Sequence, residues 1–278
     1  MLPNLIVIGA AKCGTTSLHE YLDEHPQISM SREKELHFFV DRKNWSRGLG
    51  WYESQFDAET PVRGESSPGY SAFPLYRGVP ERMAETIPHA RLVYLVRDPV
   101  ERVVSHYSHR TVNWPEMRKL EEALADPHLH EWLVTPSRYW LQLEQYLARF
   151  PAEQILVVDA DELGASRAEV LARIFAFVGV DPTFSSPEFE RTHNAATGRV
   201  QPNRAGEAML TVLDRALGPA WAKAVRRRTP QGLKAAFRHE APRPVLPDEV
   251  RAKLEDELRD DVAKLRAHTG LAFAGWTF

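Results

Sequence analysis

The sequence has one cysteine, Cys13, in 278 residues, so an intrachain disulfide cannot form. A chain without disulfides is typical of a reducing compartment. Apolar runs are short, and none approaches the ~20 residues that a membrane-spanning helix needs. Residues 1–4 lead directly into a short apolar run, without the basic region and longer apolar stretch of a signal peptide. We therefore expect a cytoplasmic protein with no transmembrane segment.

The chain also lacks a strong excess of charge of either sign. Its 35 basic and 38 acidic residues give a net charge of −3. Nucleic-acid-binding proteins are usually basic overall, so this balance argues against that class of partner. It does not argue against a small anionic ligand, because a few lysines and arginines suffice to bind one. Abundant alanine and arginine are compatible with a bacterial source, and the oligomeric state stays open.

Buried strands alternate with amphipathic helices along most of the chain. Apolar strands are predicted at residues 5–8, 92–96 and 155–158, and each run is too uniformly apolar for a sheet with one face in water. Helices are predicted at 16–23, after Pro99, before the third strand, at about 167–178 and at about 248–268. This alternation predicts an α/β fold: a single P-loop-like domain, residues 1–278, with a central parallel sheet flanked by helices.

The pattern weakens between about residues 182 and 247, where we expect a variable acceptor or lid region of loops with one or two helices. Residues 223–243 are locally basic. A solvated helix face is the favoured interpretation. A rim that attracts an anionic acceptor or a membrane surface is the alternative.

The loop at residues 9–17 joins the first strand to the first helix. Its two glycines, Gly9 and Gly14, have the spacing of the first two glycines of a P-loop, but the lysine lies inside the loop, at Lys12. Backbone N–H groups and the helix dipole favour an anion at such a position. Three successive hydroxyl residues can add donors: Thr15, Thr16 and Ser17. A phosphate site is favoured over a turn in which glycine only relieves steric strain.

Arg97 ends the second predicted strand, and Ser105 lies eight residues further on, in the helix that follows. Ligands of parallel sheets bind at the carboxyl ends of the strands, so Arg97 is placed to reach the same crevice as Lys12. An arginine fork suits a phosphate dianion. The alternative, that Arg97 pairs with Asp98 or Glu101, is about equally compatible with the spacing.

Four segments together resemble the PAPS-dependent sulfotransferases, in particular the heparan-sulfate-type branch and its bacterial relatives. Residues 12–17 look like the family's 5′-phosphosulfate loop, and residues 97–107 look like its 3′-phosphate motif. Lys34-Glu35-Leu36-His37-Phe38-Phe39 and residues 151–158 also resemble family segments. The resemblance extends over about residues 5–179, and the order of the motifs makes it specific.

The resemblance implies transfer of a sulfuryl group from PAPS to an acceptor hydroxyl of a small molecule, lipid or glycan, with release of PAP. Glu35 would be the general base, Lys12 would stabilise the oxygen that bridges phosphate and sulfur, and His37 would orient the acceptor or assist proton transfer. No metal is required. The implied cofactor-binding residues are Lys12, Cys13, Gly14, Thr15, Thr16, Ser17, Arg97, Ser105, Gly198 and Arg199.

Two family lysines are replaced in this chain. Thr197 stands where a Lys-Gly-Arg loop has its lysine, although Gly198 and Arg199 are retained. Ser66 replaces the lysine of a Glu-Lys-Ser-Pro segment that lies near the reaction centre in the polysaccharide enzymes. This second replacement weakens the case for a glycosaminoglycan acceptor.

Two other functions remain open from the residues alone. A P-loop nucleotide kinase or NTPase is compatible with Gly9 and Gly14, but Lys12 is misplaced for it and Arg97 stands at the end of the strand. A nucleotide-binding module without catalysis is the third possibility, and the combination of Lys12, Glu35 and His37 argues against it. Residues such as Glu35 and His37 also occur as a surface carboxylate and a packed side chain in proteins where they have no catalytic role.

Overall fold

A computed structural model describes residues 1–56, 59–113, 119–191, 200–202, 238–240 and 244–278. Side chains are described in the same ranges, except at 110–113, 200–202 and 238–240. The strands are β1 Leu5–Gly9, β2 Ile28–Met30, β3 Val62–Ser66, β4 Arg91–Val96, β5 Ile155–Asp159, β6 Val200–Pro202 and β7 Arg238–Glu240. The helices are α1 Thr15–Asp23, α2 Gly48–Glu53, α3 Val79–Thr86, α4 Pro99–Asn113, α5 Leu120–Ala125, α6 Pro127–Val134, α7 Tyr139–Leu147, α8 Ala160–Ala165, α9 Arg167–Val178 and α10 Asp248–Thr269. Short 3₁₀ turns occupy Trp45–Arg47, Pro68–Ser71, Thr135–Ser137, Ala152–Gln154 and Pro187–Glu190.

Five strands form one parallel sheet in the order β2-β3-β1-β4-β5. The central strand β1 pairs with β3 on one side and with β4 on the other. Every residue of β1 is buried, and so is β4 after its first residue, as helices on both faces of a parallel sheet require. The predicted α/β fold with a central parallel sheet is therefore confirmed.

Sequence reasoning missed two strands of the parallel sheet, β2 and β3, and also the separate β6–β7 pair. The first is only three residues long, and the second, Val-Arg-Gly-Glu-Ser, contains two charged residues and a glycine. Neither resembles the apolar run of a buried strand. The Glu65 side chain is nevertheless completely buried, for reasons that concern the site below.

Residues 273–277 pack against the segment that follows β4 and against the start of α7. The carboxylate of Asp98 accepts hydrogen bonds from the backbone N–H and the hydroxyl of Thr277, at 2.9 and 3.0 Å. The Trp276 ring stacks on Phe273 and packs against Tyr139 at the start of α7. These contacts fix the backbone directly after Arg97.

The region expected to be variable is described only in part. Within residues 182–247 the structure gives the turn Pro187–Glu190 and the antiparallel pair β6–β7. Most of the basic segment 223–243 lies outside the described residues, as do Thr197, Gly198 and Arg199. Among the helices that are described, none is long and apolar enough to span a bilayer.

Candidate active site

The phosphate-loop candidate is a tight connection between β1 and α1. The Ala10 N–H donates to the carbonyl of Leu95 in the neighbouring strand at 2.6 Å, and the Cys13 N–H donates to Ala10 at 3.1 Å. Lys12 and Gly14 both have a left-handed backbone, with φ of 77° and 91°. Gly14 is the N-cap of α1 and offers no side-chain acceptor to the helix, so the loop presents the helix N-terminus to a ligand.

Gly9 has a steric role in this connection. A β-carbon built at Gly9 would lie 1.8 Å from the Ser71 hydroxyl oxygen. Only glycine fits there, because the loop passes directly against the turn that follows β3. The glycine therefore brings the loop close to the segment after β3.

Arg97 lies beside the loop, as the pairing of β1 with β4 requires. Burial raises the pKa of the Cys13 thiol, and the charges of Arg102 and Arg97 and a backbone bond to Arg97 act in the opposite direction. The Arg97 Nε is buried and has no hydrogen-bond partner among the described residues. Cys13 itself is buried against the Tyr139 hydroxyl, with its sulfur 3.6 Å from that oxygen. Its thiol is a packing group with no sign of activation.

Arg102 is a positioning residue that sequence reasoning missed. Its side chain is completely buried and donates to the carbonyl of Ala11 in the loop at 3.4 Å. It also donates to the hydroxyl of Ser137 and the carbonyl of Leu133. Arg102 thus ties the loop to α6 and the turn after it. The partners are more than 30 residues away along the chain, so no local pattern announces this role.

The segment with Glu35 and His37 has an unusual backbone. Both residues have a left-handed conformation, with φ of 66° and 49°. The Glu35 N–H donates to the carbonyl of Ser66 at the end of β3, and the His37 N–H donates to the Ser67 hydroxyl, each at 3.0 Å. Non-glycine residues in this region are strained and are held only by their surroundings.

The Glu35 carboxylate lies between the Lys34 ammonium and the His37 imidazole. Lys34 Nζ is 3.1 Å from its Oε1, and His37 Nε2 is 3.4 Å from its Oε2. The bond to His37 is the largest influence on the carboxylate and, together with the Lys34 charge, it lowers the pKa of Glu35 to about 2 against an opposing effect of burial. Glu35 is therefore ionised at neutral pH. The other imidazole nitrogen, His37 Nδ1, is buried with no hydrogen-bond partner among the described residues.

Glu65 is the second positioning residue that the sequence did not reveal. Its buried carboxylate accepts hydrogen bonds from the hydroxyls of Tyr52, Tyr70 and Ser67, at 2.6, 2.8 and 2.9 Å. Ser67 and Tyr70 in turn accept the N–H groups of His37 and Phe39. Burial raises the pKa of Glu65, and the three hydroxyl donors oppose that rise. Through these hydroxyls the Glu65 side chain anchors the backbone at His37 and Phe39.

Ser66 stands in the position where the family segment has a lysine, and its surroundings differ accordingly. Its hydroxyl lies 3.1 Å from Nδ1 of the buried His19. Burial and the charge of Lys34 lower the pKa of His19 to about 4, so this imidazole is neutral at pH 7. The ammonium near Glu35 is thus supplied by the adjacent Lys34 and not by residue 66.

The remaining candidate site residues differ in burial, and two of them are not described by the structure. Thr15 is buried, Thr16 and Ser17 are half-buried in the first turn of α1, and Ser105 is half-buried in α4. Gly198 and Arg199 lie outside the described residues. Among the described side chains, no group of three or more His, Cys, Asp or Glu is arranged to hold a metal ion.

The sheet order brings these groups to one edge. Glu35 is bonded to the end of β3, the loop follows β1, and Arg97 follows β4, and these three strands are neighbours. A carboxylate–imidazole pair, a glycine-containing loop at a helix N-terminus and an arginine therefore lie at the carboxyl ends of neighbouring parallel strands. The fold is that of a P-loop-like α/β protein.

Comparison with known proteins identifies the family. A family model described as "Sulfotransferase domain" matches residues 2–199, so the chain belongs to the sulfotransferase domain family. Heparan sulfate glucosamine 3-O-sulfotransferase 5 of Homo sapiens is 31% identical over 71% of this chain and 58% of its own length. Membrane-associated sulfotransferase kil1 of Dictyostelium discoideum is 39% identical over 42% of this chain and 25% of its own length.

A solved structure supports the same assignment. The sulfotransferase from Alicyclobacillus acidocaldarius is 25% identical, with a TM-score of 0.62, over 84% of this chain and 99% of its own. The curated relatives are longer, and this chain spans little more than half of the 3-O-sulfotransferase. The resemblance to sulfotransferases stated from the sequence motifs is confirmed.

Proposed function

We propose that this protein transfers the sulfuryl group of PAPS to an acceptor hydroxyl and releases PAP. The observation that carries the proposal is the neighbourhood of three groups along β3, β1 and β4: the Glu35–His37 pair, the loop with Lys12, and Arg97. A base, a donor-binding loop and a further anion-binding arginine are what an in-line displacement at sulfur needs, by analogy with phosphoryl transfer.

Each residue has a role in this proposal. The acceptor oxygen attacks sulfur as the bond from sulfur to the phosphate oxygen breaks, and PAP leaves with that electron pair. The Glu35 carboxylate takes the hydroxyl proton, and His37 orients the acceptor or assists the proton transfer. Lys12 neutralises charge on the bridging oxygen.

The remaining candidates hold the nucleotide. Arg97 and Ser105 bind the 3′-phosphate that distinguishes PAPS from ordinary nucleotides. The loop and the first turn of α1 bind the 5′-phosphosulfate, and the glycine-arginine pair beyond the described residues closes over the nucleotide. These donors are residues Cys13, Gly14, Thr15, Thr16, Ser17, Gly198 and Arg199. The proposal requires no metal ion.

The low pKa of Glu35 has a consequence for this mechanism. A carboxylate with a pKa of about 2 is always ionised but is a weak proton acceptor. The His37 bond is the largest cause, so a shift of His37 toward the acceptor would raise the basicity of Glu35. His37 has an unpartnered Nδ1 with which it can make such a new bond.

A thermal-shift panel with PAP, AMP, ADP and ATP, each with and without magnesium, tests the proposal. PAP at about 100 times its Kd adds about 2.7 kcal/mol to stability, which corresponds to roughly 5 °C for a chain of this size. We expect this shift without metal and a much smaller one with ADP. A preference for ATP with magnesium would favour a P-loop kinase or NTPase and overturn the proposal.

Glu35→Gln separates binding from chemistry. The variant should keep the PAP-induced shift and lose most of the transfer of radiolabelled sulfuryl groups to an acceptor. If PAP binding is lost instead, Glu35 belongs to the nucleotide site and its proposed role is wrong.

We also propose a cytoplasmic location and a bacterial source. The single buried cysteine and the alanine- and arginine-rich composition support them. Fractionation of cells that express the protein tests the location, and recovery with the membrane fraction would contradict it.

A further inference from the structure

A cavity of about 500 Å³ lies next to the candidate active site. It is bounded by the loop residue Ala11, by the segment from Pro68 to Arg77 after β3, and by residues of α4, α6 and the turn after α6. This volume is within the range of sites that enclose small organic ligands. Nothing in the proposed roles above uses this space.

The cavity adjoins both sides of the proposed reaction centre. Ala11 precedes Lys12 in the loop, and Gly69 in the cavity wall packs on the His37 ring. A β-carbon at Gly69 would lie 2.9 Å from His37 Cε1 and 3.2 Å from Nδ1. The backbone at Gly69 therefore lets the unpartnered Nδ1 of His37 approach the cavity wall closely.

The cavity is separate from the residues proposed to bind the nucleotide. Its lining contains none of the described candidates for the phosphosulfate and 3′-phosphate sites, which are Lys12, Cys13, Gly14, Thr15, Thr16, Ser17, Arg97 and Ser105. The cavity borders the donor loop at Ala11 and is separated from the His37 ring only by the backbone of Gly69, so it lies in the position of an acceptor site.

The chemistry of the lining is predominantly apolar. The apolar side chains are Ala11, Pro68, Ala72, Phe73, Pro74, Leu75, Tyr76, Trp132 and Pro136. The charged side chains in the lining are one arginine, Arg77, and one glutamate, Glu131, and these balance each other. A sulfated polysaccharide needs a surplus of cationic side chains, which this described lining does not have.

One wall of the cavity is formed by two rings packed on each other, and a buried arginine contacts one of them. The His106 ring packs on Trp132 with centroids 3.9 Å apart. The buried Arg102 lies 3.3 Å from His106 Nδ1, so the same guanidinium positions the donor loop and this wall. A flat apolar acceptor can pack against such an aromatic surface.

We propose that this cavity binds the acceptor, and that the acceptor is a small uncharged alcohol or phenol with an apolar body. The inference rests on the proposed sulfuryl transfer. The acceptor hydroxyl forms the new O–S bond, its proton passes to Glu35, and PAP is the leaving group. The apolar body occupies the space between the Phe73–Tyr76 segment and Trp132.

The test is a panel of acceptors with radiolabelled PAPS. Three apolar hydroxyl compounds, 2-naphthol, 4-nitrophenol and 1-octanol, are compared with N-sulfated heparan. We expect label on at least one apolar compound and none on the polysaccharide. If PAP stabilises the protein but only the polysaccharide is labelled, or none of the four is, the inference is wrong while the nucleotide assignment stands. Failure of PAP to bind would instead contradict the proposed function.

A matched pair of variants locates the acceptor. Leu75 in the cavity lining and Leu49 in α2 are both partly exposed leucines, at 40% and 48%. Leu75→Lys should raise the KM for the apolar acceptor roughly tenfold, because it replaces an apolar contact by a charge. The PAP-induced shift should not change, and Leu49→Lys should leave both quantities unaltered. Equal KM values for the two variants would overturn the placement.

Discussion

The buried carboxylate of Glu65 makes a quantitative prediction about what holds the site together. Two tyrosine hydroxyls, those of Tyr52 and Tyr70, donate to the same oxygen, Oε1, at 2.6 and 2.8 Å. A hydrogen bond to a charged group contributes about 2 kcal/mol to stability, and one between neutral groups about 1 kcal/mol. Tyr52→Phe should therefore lower the free energy of unfolding by about 2 kcal/mol if Glu65 is ionised.

Tyr70→Phe is the matched comparison. Its hydroxyl also accepts the backbone N–H of Phe39 at 3.3 Å, a bond that Tyr52 lacks. Leaving that buried N–H unpaired costs about 1 kcal/mol or more, so Tyr70→Phe should cost about 3 kcal/mol in total. The difference between the free energies of unfolding of the two variants measures how much the Tyr70–Phe39 bond stabilises the segment that carries Glu35 and His37. Transfer activity should fall further for Tyr70→Phe than for Tyr52→Phe, with PAP binding retained in both.

Urea unfolding at pH 7 in a double-mutant cycle with Glu65→Gln is the assay. The glutamine amide still accepts at one oxygen but carries no charge, so each tyrosine substitution should then cost about 1 kcal/mol less than in the parent. Equal costs in the two backgrounds would show that Glu65 is protonated in the folded protein, which would refute the charge-assisted network. Equal costs for Tyr52→Phe and Tyr70→Phe would refute the anchoring of Phe39.

Four further predictions concern the charged and titratable groups of the candidate site. The pKa of Glu35 in the folded protein is lowered to about 2, so the ionised carboxylate stabilises the fold above its usual pKa near 4.5, and this stabilisation is lost as the pH falls toward 2. Because the carboxylate is 46% exposed, solvent screening limits the stabilisation to about 1 kcal/mol. The unfolding curves of Glu35→Gln and wild type should therefore differ at pH 7 and converge near pH 2. His37→Ala should raise the pKa of Glu35 measured by carboxyl NMR, and an unchanged value would contradict the pairing. Arg97→Gln should weaken PAP roughly tenfold or more while leaving AMP, which lacks the 3′-phosphate, little affected; equal losses by calorimetry would count against the assignment. Arg102→Met should lower the free energy of unfolding by about 3 kcal/mol in denaturant titrations, because three buried acceptors lose their donor, and a loss under 1 kcal/mol would be incompatible with those bonds.

The elements that the sequence predicted share one property, a local pattern sufficient to define them. The strands β1, β4 and β5 are apolar runs, and helix α9 has a regular apolar stripe that ends at a left-handed glycine, Gly179. Their bounds agree with the pattern to within one or two residues. β2 and β3 were missed because a short strand and a charged strand have no such pattern. β3 is held by pairing with β1, and β2 by pairing with β3.

The site residues likewise fall into those that a local sequence pattern predicts and those that depend on distant partners. Lys12 and Arg97 were predicted to reach one crevice because each follows a strand of a parallel sheet, and those two strands, β1 and β4, are neighbours. Their roles as ligands of the nucleotide stay a prediction. Glu65 and Arg102 were not singled out, since a charged residue is usually exposed and each is buried only through partners supplied by distant segments.

The buried charges that sequence reasoning missed have a common physical explanation. Lys12, Glu35 and His37 are three non-glycine residues with a left-handed backbone, and each conformation costs on the order of 1 kcal/mol or more. Such a backbone persists only where neighbouring groups fix it from several directions. Arg102 fixes the loop through Ala11, and Glu65 fixes the other segment through Ser67 and Tyr70. These two buried hydrogen-bond networks therefore stabilise the backbone geometry at the candidate site, and removal of either should disturb the site before it unfolds the sheet.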